Sequence, residues 1–182
     1  QNATNTSIHL KNVNLQVPAN AAHWIDSIRT TKGAEDQIQV LVQFYSIPSA
    51  QERVSLQMNG ISLADYIPDN AFVAFVHLPL NAAVINTANI RSIVPVQAVW
   101  KADNYVWKYI SELKDNTTEI IIAFYDNADK SLCRKLIENN EGQILPDKIE
   151  DFNAYKVAIS ASPIKAIAQW DGVNYITPAS KD

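Results

Sequence analysis

Apolar and polar residues alternate with period two over Ile38–Tyr45, placing Ile38, Val40, Val42 and Phe44 on one face, which predicts a half-buried strand. Over Ala64–Val76 two apolar segments flank Pro68-Asp69-Asn70. Proline presets φ, and Asp and Asn bond their own backbone and tolerate left-handed geometry, so this stretch predicts a β-hairpin. Between strand and hairpin, Ser49-Ala50-Gln51-Glu52 matches a capping box opening a helix with Val54, Leu56 and Met58, which ends at Gly60. A helical stretch over Leu80–Asn89 and a strand over Ile90–Trp100 complete the order β-α-β-β-α-β, the split unit of a ferredoxin-like fold.

The pattern then repeats. Asp103 caps a predicted connecting helix over 103–114 with Val106, Ile110 and Leu113 on one stripe, and Asp115-Asn116-Thr117-Thr118 breaks it. Phe44 and Phe124 lie 80 residues apart, as do Leu56 and Leu136. Asn70-Ala71-Phe72 recurs as Asn153-Ala154-Tyr155, and Ile90–Pro95 as Val173–Pro178, both at a spacing of 83. Two such spacings, with a short insertion between them, describe a diverged duplication. The predicted fold is α+β: two tandem ferredoxin-like βαββαβ domains with antiparallel sheets, over 37–102 and 117–182, joined by 103–116. An N-terminal extension and linker over 1–36 precedes them. It holds a frayed polar tail to Ser7, a weak edge strand ended by Pro18, a short helix over His23–Ile28 and a polar linker over Thr30–Asp36.

Composition narrows the function. The 182 residues carry a net charge of -4 with 47% hydrophobic content, a folded chain without the basic clusters of a nucleic-acid footprint. No apolar run approaches a membrane span. The polar opening Gln1–Ser7 reads as a mature terminus after removal of a signal peptide, which predicts a secreted or cell-envelope protein. Cys133 is a single cysteine on a helix beside Leu132 and Leu136, a small buried hydrophobe. Four isolated glycines build neither a phosphate loop, a dinucleotide fingerprint nor a nucleophile elbow. His9, His23 and His77 show no metal-ligand spacing, and Asp65 and Asp69 read as turn residues. A chain without enzymatic activity of its own, and without cofactor or metal, is expected.

One feature exceeds the needs of a bare domain. The second face of the first strand carries Leu41, Gln43 and Tyr45, and its repeat carries Ile121, Ala123 and Tyr125. Helices cover one face of such a sheet, so an apolar second face is either an interface or is covered by the N-terminal segment or the other copy.

Leu41-Val42-Gln43-Phe44, Ile47-Pro48-Ser49, Gly60-Ile61 and Asp65–Phe72, followed by Pro95 and Trp100-Lys101, resemble the N-terminal pro-region of secreted bacterial subtilisin-like serine proteases. The nearest type is the fervidolysin-like pro-region, in the tandem form preceding Bacteroidetes subtilases; Leu10-Lys11-Asn12 to Pro18 resembles its lead-in strand. The resemblance is specific in the first copy, whereas Pro146-Asp147 to Phe152-Asn153 departs from the hairpin motif in the second. It implies an intramolecular chaperone that also inhibits its protease, with the catalytic domain, in cis or trans, as partner. The implied docking residues are Tyr45, Asp69 and Tyr125. With them goes the exit from the last strand, Ile176, Thr177, Pro178, Ala179 and Ser180, lying extended in the protease cleft. A free-standing protease inhibitor and a tandem ligand-binding or interaction module are the alternatives.

Overall fold

A computed structural model describes residues 6–21, 23–24, 37–78, 80, 82–113 and 116–179. The expected linker over Thr30–Asp36, the end of the helix expected over His23–Ile28, and Ser180 lie outside them. The described residues form an α+β structure of ten strands in three antiparallel sheets with five α-helices. The chain divides into two compact units, Gln1–Val96 and Gln97–Asp182.

Unit 1 starts with a ribbon of β1 (Ser7–His9) and β2 (Asn14–Gln16), closed by the Leu10 N–H donating to the Val13 carbonyl at 2.9 Å. The single edge strand expected here is thus two short strands, because Lys11 and Asn12 turn the chain back. Ala21, His23 and Trp24 are helical. Then come β3 (Gln37–Phe44), α1 (Ala50–Met58), β4 (Ile61–Ile67), β5 (Ala71–His77), α2 (Ala82–Thr87) and β6 (Ile90–Pro95). The sheet order is β4-β5-β3-β6. The strand expected to run on to Trp100 stops at Pro95, and a 3₁₀ turn follows at Ala98–Lys101. At the start of α1 both halves of the capping box form, the Glu52 N–H donating to Ser49 Oγ and the Ser49 N–H to Glu52 Oε2. The Ser49 hydrogen bonds also hold the Glu52 carboxyl below its ordinary pKa. The hairpin turn sets Asp69 and Asn70 at φ 71° and 58°, which those side chains tolerate better than most. Ile38, Val40, Val42 and Phe44 face a core with Leu56, Phe72 and Trp24.

Unit 2 contains α3 (Asn104–Leu113), β7 (Thr117–Phe124), α4 (Lys130–Asn139), β8 (Gln143–Leu145), β9 (Ala154–Ser160), α5 (Ile164–Gln169) and β10 (Val173–Pro178), in the sheet order β10-β7-β9-β8. In both units the second inner strand pairs with the first, and the outer positions go to the second and fourth strands of the β-α-β-β-α-β run. Asp103 caps α3 by accepting from the Tyr105 N–H at 2.9 Å. Val106 of α3 is buried with Ile120, Ile122, Phe124, Tyr155 and Ile176, so the expected connecting helix is part of this unit's core.

The spacing of 83 also reaches upstream of the first strands. The His23 and Trp24 N–H groups donate to the Asn20 carbonyl at 3.0 and 3.1 Å, and those of Val106 and Trp107 to the Asp103 carbonyl at 2.9 and 3.3 Å. Asn20 and Asp103 each bond the backbone of the last strand as well: Asn20 N–H donates to Arg91, Asp103 N–H to Ile176. Each β-α-β-β-α-β run is therefore preceded by its own helical turn, capped against its own edge strand.

Candidate functional site

The outer sheet face of unit 1 is filled by the chain itself. Gln43 Nε2 donates to the carbonyls of Ser7 and Asp69, both at 3.0 Å. Arg91 Nη1 donates to the Val17 carbonyl at 2.8 Å and to Gln43 Oε1 at 2.7 Å. Ser92 Oγ donates to the Pro18 carbonyl at 2.7 Å. Asn20 acts as a surrogate strand at the β6 edge, its side-chain carbonyl accepting from the Ile93 N–H and its amide donating to the Ile93 carbonyl. His9 Nδ1 pairs with the Asp69 carboxylate. Together these lay the ribbon over the face that carries Leu41, Gln43, Val73 and Phe75, all buried, and Ile8 of the ribbon is 0% exposed. The polar residues on this face give the ribbon's carbonyls donors, as burial requires.

The equivalent face of unit 2 is different. Register places Ile121 opposite Lys156 and Thr177, Ala123 opposite Ala154 and Tyr175, and Glu119 opposite Ala158. Ile121, Ala123, Ala158 and Tyr175 are each only partly buried. Lys156 Nζ and Glu119 Oε2, 3.1 Å apart, pair across it. At the positions of Gln43, Arg91 and Ser92 stand Ala123, Asn174 and Tyr175, so the set of side chains that holds the ribbon in unit 1 is not repeated.

Tyr45 and Tyr125 lie one residue beyond their strands, off the pleat. Tyr45 is 52% exposed and Tyr125 6%. Their N–H groups donate to the carbonyls of Asn89 and Gly172, and their carbonyls accept from the side-chain amides of Asn70 and Asn153. They are strand-end residues, and Tyr125 offers little surface to a partner. Asp69 is engaged by His9. The exit segment is sheet: Ile176, Thr177 and Pro178 pair with Ile122, Ile121 and Ile120, and the Ala179 N–H donates to the Glu119 carbonyl at 3.0 Å. Ile176 is fully buried, whereas Pro178 is exposed. Burial, with Asp103 nearby, raises the Tyr175 pKa.

Sequence reasoning missed the turn between β8 and β9. The tight turn of unit 1 is replaced by a 3₁₀ turn, Lys148–Phe152, capped by Asp147 through the Ile149 N–H. It is tied to α4 by Arg134, which pairs with Glu150 at 2.6 Å and lies 5.1 Å from the Tyr155 ring centre. Phe152 at its end is 80% exposed. The departure from the hairpin motif was the signal available.

Two buried titratable groups belong to the packing of unit 2. Lys101 donates from Nζ to the Trp170 carbonyl at 2.8 Å beyond the end of α5, and burial lowers its pKa to about 8, opposed by Asp171. Burial, with Asp129 nearby, pushes the Cys133 thiol up to about 11, the state of an inert core cysteine. A cleft of about 630 Å³ lies between α3 and the ends of β7 and β10, lined by Tyr105, Tyr109, Thr117, Thr118 and Pro178 among others. Among the described residues no group of three or more His, Cys, Asp or Glu could hold a metal ion. Nor is any helix among them long and apolar enough to cross a membrane.

A family model for a domain of unknown function (DUF8729) matches residues 9–97, just under half of the chain. The similarity takes in most of the ribbon together with the whole β-α-β-β-α-β run of unit 1, and ends where the structure divides. No curated protein matches the sequence.

Proposed function

We infer that this chain is the non-catalytic pro-region of a secreted subtilisin-like serine protease, built from two tandem ferredoxin-like units, which assists folding of the catalytic domain and then inhibits it. The observation that carries this reading is the outer face of unit 2, where Ile121, Ala123, Ala158 and Tyr175 are left partly open, while unit 1 seals the same face with its own N-terminal ribbon. A preformed sheet with an uncovered apolar face can stabilise a folding partner whose contacts are non-local and slow to form. Thr177 and Pro178 end β10 of that sheet and Ala179 still bonds Glu119, so docking would carry the chain beyond them toward the partner. The reading places the protein in the secreted or cell-envelope compartment.

The coding sequence beyond Asp182 tests it. An in-frame subtilisin-type catalytic domain, inhibited by the separately produced 182-residue chain, supports the pro-region. Inhibition without such a domain would make the chain a free-standing inhibitor. A ligand-binding module is favoured by one observation, the cleft beside Tyr105 and Tyr109, whose volume suits a small molecule. Saturable ligand binding there without protease inhibition would replace the pro-region reading.

A further inference from the structure

We propose that the cleft of unit 2 between α3 and the ends of β7 and β10 binds a neutral saccharide, stacked on Tyr105 and Tyr109 and hydrogen-bonded by the hydroxyls around them. The proposal rests on the ligand-site reading of that cleft and names its ligand class, and it stands or falls separately from the pro-region reading. Tyr105 and Tyr109, one turn apart on α3, stack with ring centres 6.0 Å apart and planes 20° apart, and Tyr105 is 59% exposed. Thr117 and Thr118, the first residues of β7, add two further hydroxyls. Val106, Ile120 and Ile164, which also line the cleft, belong to the buried core, so its base is fixed before any ligand arrives. The shared fold does not require this set. At the spacings of 83 and 80, unit 1 carries Ala22 and Asp26 in place of the tyrosines and Gln37 and Ile38 in place of the threonines.

The lining selects the ligand class. A volume of about 630 Å³ lies within the range of small-ligand sites, about 300–1,000 Å³. Glu119 is the one charged group among the described lining residues, and Lys156 Nζ neutralises it at 3.1 Å, so the cleft favours an uncharged ligand. Among the described residues, the hydroxyls of Tyr105, Tyr109, Thr117 and Thr118 have no protein partner. A purely apolar ligand would cover them and leave them unpaired, which is costly. A peptide adding along β10 would meet Pro178, which has no N–H to offer it. A pyranose meets both demands. Its C–H face lies on an aromatic ring, whose face is the negative pole of its quadrupole. Its hydroxyls donate and accept, as do those of Tyr and Thr, so each pattern can satisfy the other.

The test titrates the full 182-residue chain with a panel of neutral oligosaccharides of glucose, mannose, galactose, xylose and N-acetylglucosamine, read by calorimetry and by NMR amide shifts. At least one member should bind saturably and move the amides of Tyr105, Tyr109, Thr117 and Thr118. Tyr105→Ala should weaken that binding at least about 5-fold. Thr118→Val, which keeps the shape and drops the hydroxyl, should weaken it about 2–10-fold. Tyr45→Ala, which removes an exposed tyrosine of unit 1, should leave it unchanged. Circular dichroism checks that the variants fold, and where one does not, the wild-type shift map decides the location. No saturable binding of any panel member overturns the proposal, as do shifts confined to other residues, or Tyr105→Ala and Thr118→Val binding as wild type does. Tighter binding of an oligogalacturonate, whose charge the cleft should refuse, overturns it too. Protease inhibition without saccharide binding overturns it and leaves the pro-region reading standing; saccharide binding without inhibition does the reverse.

Discussion

Lys101 offers a sharp test of the energetics of unit 2. The residue is 4% exposed, and its side chain donates to the Trp170 carbonyl and has a pKa lowered from 10.5 to about 8 by burial. At 1.36 kcal/mol per pKa unit, folding with the charged form costs about 3 kcal/mol more than with the neutral form. Between pH 8 and 10.5 the unfolded chain holds a proton that the folded chain has released, so stability rises with pH through that window. Over pH 8 to 9 the rise is about 1 kcal/mol. Cys133 opposes it. Its thiol is raised from 9.0 to about 11, so the unfolded chain loses that proton first, removing about 0.3 kcal/mol over the same interval. Urea unfolding followed by fluorescence of Trp100, Trp107 and Trp170 measures the sum in wild type and the Lys101 share alone in Cys133→Ala. Lys101→Met keeps the stem and drops the charge. It should flatten the rise and, after loss of one hydrogen bond, stabilise unit 2 at pH 7 by about 1–2 kcal/mol. Stability that is flat or falling from pH 8 to 9 in Cys133→Ala, or a destabilised Lys101→Met, refutes the reasoning.

Further outcomes follow from single positions. Asn20→Ala removes both surrogate-strand bonds to Ile93 and should cost unit 1 about 2 kcal/mol in urea unfolding. Asn70 holds φ 58°, so Asn70→Ala should lower stability by about 1 kcal/mol while Asn70→Gly stays near wild type, read from thermal midpoints. A Cβ at Gly172 would lie 2.2 Å from the Trp170 ring, which packs edge-on against Phe124; Gly172→Ala should destabilise unit 2 by about 1–3 kcal/mol, seen as a lower urea midpoint.

Much of the α+β order was legible because the signals were local: the capping box at Ser49, the left-handed turn at Asp69-Asn70, and period-two alternation through Phe44. The spacings of 80 and 83 located matching strands. What the pattern could not convey was tertiary. Nothing local in Ser7–Pro18 says that the carbonyls of Ser7, Val17 and Pro18 will accept from Gln43, Arg91 and Ser92, residues up to 74 positions away. Asn20 and Asp103 matched only once their bonds to the last strands were visible, because the helical turns behind them share little beyond Trp24 and Trp107. Alternation carried past Phe44 and Phe124 put Tyr45 and Tyr125 on the sheet face. Both residues lie one position beyond their strands, and of the expected second face of unit 2 Ile121 and Ala123 are the partly open positions.

If the pro-region reading holds, a subtilisin-type catalytic domain is encoded beyond Asp182, and its inhibition measures most directly whether unit 2 presents the docking face. The 182-residue chain is compared with Ile121→Glu and Ala158→Glu, each adding a charge to the partly open face. Tight inhibition by wild type, lost in both variants while they remain folded, is the predicted result. No inhibition by wild type, or inhibition that both charged variants retain, would contradict it.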